Sequence, residues 1–173
     1  MKTVFVLFSL FFAPFIGAAE FHVATDGVDD PNRDGLSRKT AWASLAFACE
    51  QLPESEETQT IRIHPGVYET TRTAFPKSNT KIVGGGRGGK DRSELIASKD
   101  WKLSSEFKPD APPEKEHLIA FRKQENITVK DLALHSDPEH RITGGILATA
   151  SNQLHFENLS LKDFRWNGIF LNV

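Results

Sequence analysis

Ile127-Thr128-Val129-Lys130-Asp131-Leu132-Ala133-Leu134 and Leu154-His155-Phe156-Glu157-Asn158-Leu159-Ser160-Leu161 are one pattern written twice, 27 positions apart. Ile127, Val129, Leu132 and Leu134 fall on Leu154, Phe156, Leu159 and Leu161, and Asp131 falls on Asn158. The apolar residues alternate with period two on either side of a one-residue skip, so each copy reads as two short strands joined at a bend. A second ladder runs beside the first: Ile119, Ile146 and Ile169 head the similar runs His117–Phe121, Gly144–Ala148 and Asn167–Leu171. Repeats of this length, made of short strands without helices, predict a β-solenoid. The fold class expected from the repeat is therefore all-β: a solenoid of short strands with an N-terminal capping α-helix, truncated at its C-terminus.

The start of the chain speaks to compartment. Lys2 gives a weakly positive beginning, Val4 to Ile16 is apolar, and Gly17-Ala18-Ala19 supplies the small residues that a signal peptidase needs. A secretory leader over 1–19, cleaved after Ala19, and a secreted location follow as expectations. The apolar run is too short for a comfortable membrane span and Pro14 interrupts it, so no span is expected after cleavage.

The 21 Lys and Arg against 23 Asp and Glu leave a formal charge of −2. No basic patch stands out to neutralise a phosphate backbone, which argues against nucleic acid as a partner. The single cysteine, Cys49, cannot close an internal disulfide, and the length fits one domain. Within it, 20–59 reads as an N-terminal strand, polar loop and helix, and 60–173 as incomplete solenoid coils.

Phe21–Ala24, Thr60–His64, Val67-Tyr68, Lys81–Val83 and Glu94–Ala97 alternate or run apolar as strands do. Trp42, Leu45, Ala46, Cys49 and Leu52 recur at helical spacing until Pro53, which predicts one amphipathic helix covering the first coil. Asp100–Glu116, with Pro109, Pro112 and Pro113, reads as a loop excursion. The polar loop between the first strand and the helix holds Asp26, Asp29, Asp30, Asn32 and Asp34. Oxygen ligands at that spacing are candidates for Ca²⁺, the one cofactor considered, although the EF-hand pattern is incomplete. The competing and favoured reading is a chain of Asx turns.

Gly84-Gly85-Gly86-Arg87-Gly88-Gly89-Lys90 formally satisfies a dinucleotide fingerprint and nearly a phosphate loop. Both chemistries need the loop to open a helix, whereas Ser93–Ala97 reads as a strand, and Asp91 stands where Ser or Thr is needed. Nucleotide binding is therefore not expected.

The order of these elements carries a resemblance. A leader is followed by Phe21-His22-Val23-Ala24-Thr25-Asp26-Gly27. Then come Arg38-Lys39-Thr40-Ala41-Trp42-Ala43-Ser44-Leu45, Ile61-Arg62-Ile63-His64-Pro65-Gly66-Val67-Tyr68 and Lys81-Ile82-Val83-Gly84-Gly85. The series resembles the opening of secreted right-handed parallel β-helix proteins of the pectate-lyase-like superfamily, and the resemblance implies that the expected all-β solenoid is a right-handed parallel β-helix. The resemblance implies a carbohydrate-active protein, a polysaccharide lyase or glycoside hydrolase, with polysaccharide or glycan as partner. The alternative is a non-catalytic glycan binder or scaffold, since one fold hosts many functions. In larger members the catalytic groove lies on central coils. Here that would put it beyond Val173, and the chain reads as the N-terminal portion of a longer protein.

That superfamily also stacks Asn side chains at one bend into a ladder. Asn158 matches the role and Asp131 departs from it, which predicts one weakened rung. Asn126-Ile127-Thr128 and Asn158-Leu159-Ser160 are formal glycosylation sequons expected to stay unused, because they overlap core positions. Outward positions Thr128, Lys130, Ala133 and His135 should stack on His155, Glu157, Ser160 and Lys162, with Lys130 paired to Glu157. His135, Arg141, His155, Lys162, Asp163 and Arg165 are the candidate residues of a groove for acidic polysaccharide. No catalytic set is complete.

Overall fold

A computed structural model describes residues 18–103 and 114–172. In chain order the elements are β1 (Glu20–Val23), α1 (Leu45–Gln51), β2 (Gln59–Ile63), β3 (Gly66–Thr70), β4 (Thr80–Val83), β5 (Ser93–Ala97), β6 (His117–Arg122), β7 (Glu125–Ser136), β8 (Gly144–Thr149), β9 (Asn152–Lys162) and β10 (Asn167–Asn172). A 3₁₀ turn, Glu114–Glu116, precedes β6.

Every recorded strand pair is parallel. One sheet has the order β1-β2-β4-β7-β5-β3 with β9 attached to β7, and a second runs β10-β8-β6. The expected all-β right-handed parallel β-helix is therefore corrected. Among the described residues the strands form two open sheets beside a single α-helix, an arrangement of the α/β kind rather than a closed solenoid. The physical reason is that a sequence offset fixes which residues sit opposite each other on neighbouring strands. It carries no information on whether the sheets close into a coil. The capping and C-terminal truncation inferred from the solenoid lose their basis with it.

The register itself follows the repeat. Ile127 pairs with Leu154, Val129 with Phe156, Leu132 with Leu159 and Leu134 with Leu161. Ile146 lies between Ile119 and Ile169. Each copy of the pattern is one continuous strand rather than two: β7 and β9 pass through their bends at Asp131 and Asn158 without interruption. The two halves of β7 then serve different neighbours, β4 through Thr128–Lys130 and β5 through Ala133–Ser136.

Side chains one above another form apolar rows. Phe21, Ile61, Ile82, Val129 and Phe156 make one, and Tyr68, Leu95, Leu134 and Leu161 another. Ile61, Ile82, Val129 and Leu134 are wholly buried, and each such side chain stabilises by about 1.5–3 kcal/mol. Phe156 and Leu161 at the row ends are only partly buried.

Helix α1 is shorter than its apolar pattern. Trp42 lies before it, bridged to Val23 and stacked on Phe21 at 5.7 Å. Ser44 caps the helix by accepting from Phe47 N at 3.2 Å, and Leu45, Ala46, Ala48 and Cys49 form its buried face. Burial pushes the Cys49 thiol well above its usual range, so it acts as a small apolar residue. Of the Asp100–Glu116 excursion, positions 104–113 lie outside the described residues, as does the leader up to position 17.

Candidate functional site

Residues on β5, the second half of β7 and the second half of β9 alternate across the sheet. Leu95, Leu134 and Leu161 point to the core. The opposite face carries the rungs Glu94–Ala133–Ser160 and Ile96–His135–Lys162. His135 and Lys162 are thus neighbours on adjacent strands, as their spacing predicts.

Glu94 stands on this outer face and is nevertheless only 4% exposed. Its Oε1 contacts His135 Nδ1, while Arg92 Nη2 lies 2.7 Å from Oε2. The Arg92 contact is an ion pair and not an aligned hydrogen bond, because Oε2 has no donor in hydrogen-bond geometry. A carboxylate out of water needs such partners, since an unpaired buried charge is costly. Holding Nδ1 on Glu94 fixes the imidazole's orientation and leaves Nε2 as the free nitrogen. That nitrogen is buried and without a hydrogen-bond partner among the described residues.

The other candidates fall elsewhere. His155 sits on the far side of the Asn158 bend, its Nε2 3.2 Å from Glu157 Oε2 and away from Lys162. Arg141 Nε donates to Pro138 O at 3.2 Å, and Arg165 N donates to Ile142 O at 2.9 Å, so these two turns lie side by side. Asp163 follows the end of β9 with φ +61°. Lys130 is opposite Glu157 in register but reaches Asp131 Oδ2, at 3.6 Å, in place of the expected partner.

The acidic loop does not converge on a cation. Asp29 braces the entry to α1 by holding its cap residue: Oδ1 accepts from Ala43 N at 2.8 Å and Ser44 N at 3.0 Å, and Oδ2 from Ser44 Oγ at 2.6 Å. Asp30 accepts from Asn32 N and Nδ2, Asp34 from Leu36 N, and Asp26 pairs with Arg38 at 2.6 Å. Hydrogen bonds from Thr40 and Leu36 hold the Asp34 carboxyl below its ordinary range. Among the described residues no three His, Cys, Asp or Glu side chains are placed to hold a metal ion. In this arrangement the carboxylate oxygens of Asp26, Asp29, Asp30 and Asp34 meet the loop's own donors.

Sequence reasoning missed Glu94 and Arg92. The available signal was a charged residue inside the otherwise buried run Ser93–Ala97, but its pairing with His135 depends on which strands become neighbours. It also missed a pair of histidines on β1 and just past β2. His22 Nδ1 and His64 Nε2 are 3.0 Å apart with stacked rings, beside a fork from Arg62 to Glu20 at 2.7 and 2.9 Å. The fork holds Glu20 below its usual range. Tyr68, its hydroxyl donating to His64 O at 2.7 Å, is pushed up to about 12 by burial.

No protein-family model, curated protein or solved structure matches this chain. Among the described residues no helix is long and apolar enough to cross a membrane.

Proposed function

We propose that this protein is secreted and engages polysaccharide on the outer face of β5, β7 and β9, with His135 as its acid–base group. One observation carries the reading: a buried carboxylate, Glu94, grips His135 Nδ1 while Lys162 stands on the next strand. An oriented imidazole takes or gives a proton through its other nitrogen. A neighbouring ammonium complements the carboxylate of an acidic sugar. Removing a proton beside that carboxylate would make the protein a lyase, and protonating a glycosidic oxygen a hydrolase. The leader-like start and the motifs resembling secreted proteins of the pectate-lyase-like superfamily support the compartment and the substrate class.

A second reading, a non-catalytic glycan binder or scaffold, is favoured by the burial of His135 Nε2, which a reacting sugar would have to reach. Incubation with acidic and neutral polysaccharides separates the two. Reducing ends and the ultraviolet absorbance of unsaturated products report cleavage, and co-sedimentation reports binding. Cleavage lost in His135→Ala supports the enzyme. Binding without cleavage, unaffected by His135→Ala, supports the binder, and neither cleavage nor binding overturns both. Secretion is checked by expressing the full chain in a secreting host and sequencing the amino terminus of the protein in the medium.

A further inference from the structure

A cavity of about 430 Å³ opens where the chain leaves β3 and β5, lined among others by Thr71, Phe75, Asp100, Trp101, Lys102 and Lys115. This is the size range in which small-molecule sites fall. Its floor is fixed. Trp101 is 2% exposed, its Nε1 donates to Lys115 O at 3.0 Å, and its carbonyl oxygen is met by His140 Nε2 at 2.7 Å. The indole thereby ties the backbone of Lys115 to the strand exit that carries Lys102. One edge is closed by the Arg72–Glu50 ion pair at 2.7 Å.

Three features of the lining do not serve the fold. Phe75 is 45% exposed, although nearby Ala74 and Thr73 are buried. Lys102 and Lys115 have no carboxylate within ion-pair distance among the described residues, while Arg72 is neutralised by Glu50. Asp100 is the one acidic group left to oppose the two ammoniums. An apolar ring face beside two unpaired cations, with Thr71 also in the lining, suits a ring that carries hydroxyls and one negative group.

We infer that this cavity binds a carboxylate-bearing sugar unit: Phe75 lies under the ring, and Lys102 and Lys115 hold the carboxylate. The inference takes its ligand class, sugar, from the function proposed above. Its site is separate from His135 and from the outer face of β5 and β7. The two lysines act as point charges on flexible stems, so binding should weaken with salt.

The test is an NMR titration of the full protein, following the Trp101 indole N–H, with a hexuronate trisaccharide and with its neutral hexose counterpart. The expected result is a saturable shift with the uronate alone. Lys102→Gln/Lys115→Gln should weaken it at least about tenfold, roughly the effect of losing 1.4 kcal/mol. Phe75→Ala should weaken it as well, and His135→Ala should leave it unchanged. All these positions except His135 are exposed, so the variants should fold. An equal shift with the neutral sugar, full binding by the double lysine variant, or no shift at all overturns the site. Polymer cleavage or binding that depends on His135, found together with no uronate shift at Trp101, would leave the function standing and remove only this cavity.

Discussion

Asn158 donates its side-chain Nδ2 to Asp131 Oδ1 across 2.7 Å, and both residues hold the backbone in the left-handed region, with φ of +50° and +56°. Asp131 does not weaken the rung, contrary to the expectation from its sequence. Aspartate supplies the acceptor that a stacked asparagine needs, and both residues tolerate positive φ better than other side chains. The relationship predicts an order of variants. Asp131→Asn keeps an acceptor and should be near neutral. Asp131→Ala loses the bond and strains the backbone, at a cost of about 1–3 kcal/mol. Asp131→Gly should fall between them, since it loses only the bond. Denaturant unfolding of the three variants checks the order, and an alanine variant as stable as wild type would remove the rung from the account.

Gly84 packs where no side chain fits. A Cβ there would overlap the Asp131 carbonyl oxygen, whereas one on Gly88 would meet nothing within 4 Å. The glycine-rich loop therefore divides into a packed beginning and a free tip. Gly84→Ala should cost several kcal/mol or prevent folding, and Gly88→Ala should change stability by less than about 0.5 kcal/mol. Thermal melting of the two proteins distinguishes this from a phosphate cradle, in which the tip glycines would matter and Gly84 would not be singled out.

Depth along the apolar rows sets the cost of a charge. Val129 is wholly buried between Ile82 and Phe156, while Phe156 is half-buried and stacked on Phe121 at 6.2 Å. Val129→Asp should abolish soluble expression, because an unpaired carboxylate is left in the core. Phe156→Asp should destabilise without the same completeness, since its charge can reach water. Lys130→Ala, losing only a 3.6 Å contact with Asp131, should be near neutral. Expression and melting temperature rank the three.

Register was legible because the strand period is two and the repeat offset is constant: both apolar ladders pair as the sequence aligns them. Sheet closure was not legible, since it depends on how each chain reversal is directed, and the open sheets differ from the solenoid for that reason. The site divided in the same way. His135 and Lys162 could be placed together because they belong to the repeat. Glu94 precedes the repeat and meets His135 only through the pairing of β5 with β7. The acidic loop was readable as turns from its Asp and Asn content, but the grip of Asp29 on Ser44, the cap of α1, required the fold. The Asn126 amide reaching Asn79 Oδ1 at 2.9 Å makes a second rung of left-handed residues; the repeat gives Asn126 a left-handed counterpart in Gln153, but Asn79 lies before the repeat and only the fold brings it alongside.

Acid should loosen the edge strand β1. His64 is held below its ordinary 6.5, first by burial and then by the positive charges of Arg38, His22 and Arg62, with Asp26 opposing them. Glu20 faces the same cluster through its fork with Arg62. The folded state binds the His64 proton less readily than the unfolded chain does. Its contribution is therefore fully present above about pH 6.5, and it is lost progressively as the pH falls below that value through the folded pKa. Two facing imidazoles sharing one hydrogen bond also cannot both be protonated without losing it. The melting temperature of wild type should drop between neutral pH and about pH 5, and the drop should be smaller in His64→Gln. Hydrogen exchange should place the acid-induced opening at Phe21–Val23 and Ile61–Ile63. A pH profile identical in wild type and His64→Gln would show that this pair does not set the acid limit.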